Sequence, residues 1–208
     1  MHLPFTSETR ALALPDAQVD LFERLTLGFS HDALMQQLTD DIQWRQEDIT
    51  LFGKTYRQPR LIAWHGDDKA SYRYSGRVYE PQPWTDLLLQ LKHRVEAASG
   101  SQFNSVLLNL YRDGRDSMGL HADDEPELGP EPVIASLSLG ATRTLYFKHR
   151  FRKDLATLRV PLSSGSLLVM RGSTQQYWKH GIRKLSRQCG PRINLTFRHI
   201  VPGKPAPD

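Results

Sequence analysis

"PRINLTFRHI", Pro191–Ile200, alternates at the two-residue period of a β-strand, with Ile193, Leu195 and Phe197 on one face and Arg192, Asn194, Thr196 and Arg198 on the other. An ordinary half-exposed strand has this pattern, its polar side solvated. The same pattern also fits a strand covered on its apolar side whose polar side lines a pocket. There, two guanidinium forks on one face would be placed to grip carboxylates.

The chain around this strand changes texture once. Helical spacing runs through "SHDALMQQLTDDIQW", where Leu34, Leu38 and Ile42 recur every four residues after a Ser30 cap. A second helix is expected in "PWTDLLLQLKHRVEAASG", striped by Leu87, Leu88, Leu91 and Val95 and stopped at Gly100. From Phe103 the chain reads as short strands, "FNSVLLNLY", "VIASLSLG", "TRTLYFKHRF", "LATLRVPL", "GSLLVMRG" and "PRINLTFRHI", separated by Gly, Pro, Ser and Asp clusters. Helices followed by strands predict an α+β protein whose second half is a closed or double-sheet antiparallel structure of the jelly-roll kind.

Composition sets outer limits. A chain of 208 residues without a linker or composition break reads as one domain, 1–208. The formal charge of +4 points mildly towards a polyanion. A single cysteine, Cys189, excludes an internal disulfide framework and a multi-cysteine zinc site, and suits a reducing compartment. No apolar run has the length of a membrane span and the N-terminus lacks signal-peptide form, so the expected location is the cytoplasm. A monomer is the expected state.

"GLHADDEPELG" places His121 and Asp123 two apart, so an extended start would aim both side chains into one space. His180 in "QYWKHGIRK" is the best third ligand, returning beside His121 across a sheet. Two imidazoles and a carboxylate on one face, with open positions opposite, make the facial triad of non-heme Fe(II) oxygenases. A His-x-Asp pair alone is weak in a chain with eight histidines, most of which would be surface residues. The strand at Pro191–Ile200 supplies what is missing. Such an oxygenase needs a chelating acid as electron donor, and 2-oxoglutarate carries a carboxylate at each end for arginines to hold. "FNSVLLNLY" adds Asn109 and Tyr111 at the same two-residue spacing.

Together "NLY", "HADDE", the later His180 and "PRINLTFR" resemble the AlkB family of Fe(II)/2-oxoglutarate-dependent nucleic-acid dealkylases, over about Trp44 to Ile200. The resemblance implies a double-stranded β-helix, core about 103–200, with supporting N-terminal helices and a nucleotide-recognition lid at about 47–82. It implies iron on His121, Asp123 and His180, the distal carboxylate of 2-oxoglutarate on Arg192 and Tyr111, and Asn109, Asn194 and Arg198 near the metal-proximal end. "YRYSG" matches the lid: Tyr74 would stack on a flipped base, Tyr72 and Ser75 would line the same pocket, and Glu125 would face the damaged base. A methylated adenine or cytosine is cationic, which favours π-faces and a nearby carboxylate. Trp64 and His65 read as packing residues. The implied activity consumes 2-oxoglutarate and O2, hydroxylates the N-methyl group of 1-methyladenine or 3-methylcytosine, and releases formaldehyde. Alkylated DNA is the expected partner and RNA a further one; the alternative is a hydroxylase of a protein or small molecule. At "DITLFGKTY", Phe52 at a hairpin tip resembles the wedge of duplex-repairing members. Two basic runs, from Arg143 and from Lys179, are candidates for phosphate contact.

Overall fold

The computed structural model describes residues 8–51, 54–68, 70, 72–74 and 77–201, with 49–51, 72–74 and 77–79 described by their backbone. Its strands are β1 (Thr9–Ala11), β2 (Gln18–Phe22), β3 (Asp48–Leu51), β4 (Lys54–Arg57), β5 (Leu61–Gly66), β6 (Tyr72–Tyr74), β7 (Arg77–Tyr79), β8 (Ser105–Tyr111), β9 (Met118–His121), β10 (Ile134–Gly140), β11 (Arg143–His149), β12 (Leu158–Leu162), β13 (Leu167–Arg171), β14 (Trp178–Ile182) and β15 (Arg192–Arg198). The helices are α1 (His31–Asp41), α2 (Asp86–Ser99) and the single turn α3 (Thr174–Tyr177).

Both long helices start and stop where local chemistry dictates. Ser30 Oγ accepts from Ala33 N–H at the head of α1, and Thr85 Oγ1 caps α2 through Leu88 N–H. Gly100, at φ 67°, ends α2 in the left-handed conformation and returns its N–H to Glu96 O. Helix α1 stops at Asp41, one turn short of Trp44; Ile42 is already extended, and Arg45 bridges to Ile62.

The strands form a seven-stranded sheet ordered β1-β2-β13-β10-β15-β8-β5, a four-stranded sheet ordered β12-β11-β14-β9, and two separate hairpins, β3-β4 and β6-β7. Antiparallel β8-β15-β10-β13 facing β9-β14-β11-β12 is the jelly roll that the sequence predicts. The large sheet receives two strands that the sequence pattern does not announce, β1 and β2. It also takes β5, at 61–66, out of the span read as lid, so the hairpins at 48–57 and 72–79 are what stands apart.

The outer face of the large sheet buries Val106, Leu108, Leu110, Leu137, Leu139, Ile193, Leu195 and Phe197 against α1 and α2, through Leu34, Leu38, Leu88, Leu91 and Val95. At about 1.5–3 kcal/mol per buried large side chain, this layer is a principal source of stability. A second core, including Leu145, Phe147, Val160, Leu168, Met170 and Trp178, lies between the sheets. The inner face of β8, β10 and β15 is polar, yet it is covered: Arg192 is 1% and Asn194 8% exposed, which excludes the solvated-face reading.

Candidate active site

The register of β14 against β9 sets His180 opposite His121, with an irregularity between His180 and Ile182. Gly181 makes that approach feasible, since a Cβ there would lie 2.8 Å from both Met118 O and Gly119 O. Asp123 follows β9 by two residues, and Gln175 Oε1, buried just before β14, accepts its backbone N–H at 3.0 Å. Ligand atoms of His121, Asp123 and His180 all lie within 4.8 Å of one another.

The donor set fits a divalent metal. Asp123 Oδ2 is buried without a hydrogen-bond partner and sits 3.5 Å from His180 Nε2. His121 donates Nδ1–H to Gly119 O at 3.1 Å, which leaves Nε2 for coordination, the usual outer support of a metal-binding imidazole. Burial, reinforced by His121, pushes the His180 pKa down to about 3, so its imidazole is neutral as a ligand must be. Burial opposes ionisation of Asp123, but Arg198, His180 and His121 together outweigh it and hold the carboxyl below its ordinary range. Arg198 Nη2 donates directly to Asp123 Oδ1.

Further along the interior lies a cationic pocket. Arg192 donates through Nη2 to Ser138 Oγ at 2.9 Å and Asn194 Oδ1 at 2.7 Å, and its guanidinium lies 5.2 Å from the centre of the Tyr111 ring. Its Nε and Nη1 are buried without partners. Burial lowers the Arg192 pKa to about 10, which leaves it charged at neutral pH with donors free for an anion. Ser136 Oγ donates to Asn194 Oδ1, and Asn194 Nδ2 to Thr196 Oγ1. Arg60 Nε donates to Asn109 Oδ1 at 2.8 Å. These bonds bring Arg60, Ser136, Ser138 and Thr196 into the site. Thr196 lies on the polar face that the alternation of β15 predicts, without a role assigned to it; sequence reasoning missed the other three, which depend on strand pairing.

Glu125 follows Asp123 by two residues and keeps an exposed surface, although burial of its carboxyl pushes its pKa up, with Asp123 adding to the shift and Arg198 opposing it. Tyr72 and Tyr74 occupy the two ends of β6, while Ser75 and Phe52 lie outside the described residues. His65 is a packing residue, 4% exposed and bonded through Nδ1 to Pro83 O at 2.7 Å. The basic run from Arg143 divides. Lys148 is exposed, but Arg143 is 1% exposed and bonded to backbone carbonyls, so it is no surface phosphate contact. A cavity of about 680 Å³ lies elsewhere, between residues 22–29 and α2, and contains none of the triad.

The 2OG-Fe(II) oxygenase superfamily model matches residues 24–198. The human alpha-ketoglutarate-dependent dioxygenase alkB homolog 3 is 42% identical over 179 residues, covering 82% of this chain and 62% of its own length. The human DNA oxidative demethylase ALKBH2 is 37% identical over 179 residues, covering 82% of this chain and 69% of its own. The chain thus spans about three fifths of the alkB homolog 3 sequences that it matches. The solved structure of OsALKBH1, 18% identical with a TM-score of 0.61, covers 91% of this chain and shares its fold. No helix among the described residues is long and apolar enough to cross a membrane. With its triad and cationic pocket inside a matching jelly roll, the chain belongs to the 2OG-Fe(II) oxygenase superfamily and, within it, to the AlkB family.

Proposed function

We propose that the protein is an Fe(II)/2-oxoglutarate-dependent dioxygenase that demethylates N-alkylated bases of the 1-methyladenine and 3-methylcytosine type in DNA, with RNA as a further substrate. The carrying observation is the His121–Asp123–His180 cluster, with Asp123 and His180 buried, which shares one interior with an arginine whose Nε and Nη1 have no partner. Iron and 2-oxoglutarate, when bound, supply the oxidation that O2 drives.

The protein's own residues do the rest. His121, Asp123 and His180 would hold the iron, and Arg198 fixes which carboxylate oxygen of Asp123 is left for it. Arg192 and Tyr111 would take the distal carboxylate of 2-oxoglutarate, with Asn194 bracing Arg192 and Asn109, braced by Arg60, nearer the metal. The hairpins at 48–57 and 72–79 form the nucleotide lid. In it Tyr74 stacks on the flipped base, beside Tyr72 and Ser75, and Glu125 faces the cationic methylated ring. Phe52 acts as the wedge in duplexes, so Phe52→Ala impairs duplex repair more than single-strand repair.

The test is formaldehyde release from single- and double-stranded DNA and RNA carrying each methylated base, with protein and small-molecule substrates alongside. Release that requires a methylated base and stops with an iron chelator supports the reading. Turnover confined to a protein or small molecule overturns it.

A further inference from the structure

Arg143 opens β11 and is as deeply buried as Arg192, both at 1% exposure. Its Nη1 donates to Asp113 O at 3.1 Å, and its Nη2 to Asp116 O at 2.9 Å and Arg183 O at 2.7 Å. Its guanidinium lies 5.7 Å from the centre of the Tyr111 ring, the ring that Arg192 approaches to 5.2 Å. Two buried cations therefore share one phenol.

Among the described residues, neither arginine has an ion-pair partner. The nearest acids in sequence are already taken, Asp113 by Arg115 and Asp116 by Arg112. Backbone carbonyls take Nη1 and Nη2 of Arg143, while its Nε is buried without a partner, and none of them neutralises its charge; a buried charge is ordinarily paired. The two arginines also sense each other, since Arg143 contributes to the lowered pKa of Arg192. An arriving carboxylate would meet the field of two charges and touch one.

We infer that Arg143 is a second cationic anchor of the cosubstrate pocket, a positioning residue that acts through Tyr111 and through its field to select a keto acid with a distal carboxylate. This rests on the reading of Arg192 and Tyr111 as the distal pocket. At an effective protein dielectric, one charge within about 10 Å amounts to about ten- to thirtyfold in affinity for a monoanionic group.

The experiment is anaerobic calorimetry on the manganese-loaded protein with 2-oxoglutarate and with 2-oxobutyrate, which lacks the distal carboxylate. Arg143→Gln is expected to weaken 2-oxoglutarate about ten- to thirtyfold and to leave 2-oxobutyrate within about twofold. Equal weakening of both acids, or of neither, overturns the inference by reducing Arg143 to a clip for the 113–116 loop. Parent protein that binds the two acids equally well instead overturns the distal-pocket reading itself. If Arg143→Gln does not fold, Arg143→Lys decides: it keeps the charge and loses the three-carbonyl clip. A parent-like preference for 2-oxoglutarate is then expected despite a lower melting temperature, and a preference that falls together with the melting temperature overturns the inference.

Discussion

Replacing Arg192 by Met should separate affinity from stability. The side chain is 1% exposed, and two of its three guanidinium nitrogens have no partner. Removing one member of a buried, hydrogen-bonded charge pair costs about 3–5 kcal/mol, so 2-oxoglutarate should bind roughly 150- to 5000-fold more weakly. The free protein responds differently. It loses the bonds to Ser138 Oγ and Asn194 Oδ1, each about 1.5–3 kcal/mol, and is relieved of a buried cation whose desolvation costs several kcal/mol. These terms oppose each other and leave a change of about 2 kcal/mol or less, under about 8 °C in melting temperature for a chain of this length. Anaerobic calorimetry with 2-oxoglutarate, paired with thermal unfolding of the cosubstrate-free protein, reads both quantities. A variant that titrates like the parent, or one that unfolds much earlier with its affinity intact, would refute the assignment of Arg192 to the cosubstrate.

Three further outcomes follow from the same geometry. Asp123→Ala should abolish metal binding and turnover while the protein still folds, at about 1–3 kcal/mol for leaving Arg198 without its carboxylate; full activity in this variant would remove the triad. Gly181→Ala places a methyl 2.8 Å from two β9 carbonyls, so β14 and β9 must separate and manganese affinity should drop at least about tenfold, read by titration of the metal. An unchanged metal affinity would show that the close pairing is not what assembles the ligands. Burial holds the His65 pKa below its ordinary value against the pull of its bond to Pro83 O, so as pH falls through about 6.5 the unfolded chain takes up a proton that the folded one resists. Stability from this group is full above that pH and declines below it, by up to about 1.4 kcal/mol per pH unit; His65→Gln should flatten the fall in melting temperature between about pH 7 and 5, and an unchanged slope would exclude His65 as a source.

Whether a residue was legible in the sequence depended on whether its partner was local. Helix α2 declares itself through its leucine stripe and Gly100, and β15 through strict alternation. The brevity of β1 and β2 hides them: Thr9–Ala11 is exposed throughout, and β2 enters the sheet only by pairing with β13, about 150 residues away. Arg60 looks like a loop charge in "RQPR". Its bond to Asn109 exists because β5 pairs with β8 in the register Ile62↔Asn109. Arg143 begins a basic run like any surface run, and only the packing of the 113–116 loop over it makes it internal.

The two arginines of β15 show the same limit from inside the site. They share a face and a residue type, and six residues at about 3.3 Å each set them roughly 20 Å apart along the strand. Their tasks differ because different strands cross them. At the Arg198 end, β14 carries β9 across the barrel, and the segment after β9 lays Asp123 on the guanidinium. At the Arg192 end, β10 offers only the hydroxyl of Ser138, and β8 the ring of Tyr111. One guanidinium therefore has its charge paired by Asp123, the proposed metal ligand, while the other is held with its charge uncompensated. Exchanging the two environments would demand a carboxylate at position 138, which would neutralise Arg192 before any cosubstrate arrived. The serine found there braces Arg192 through Nη2 and leaves its charge for the proposed cosubstrate.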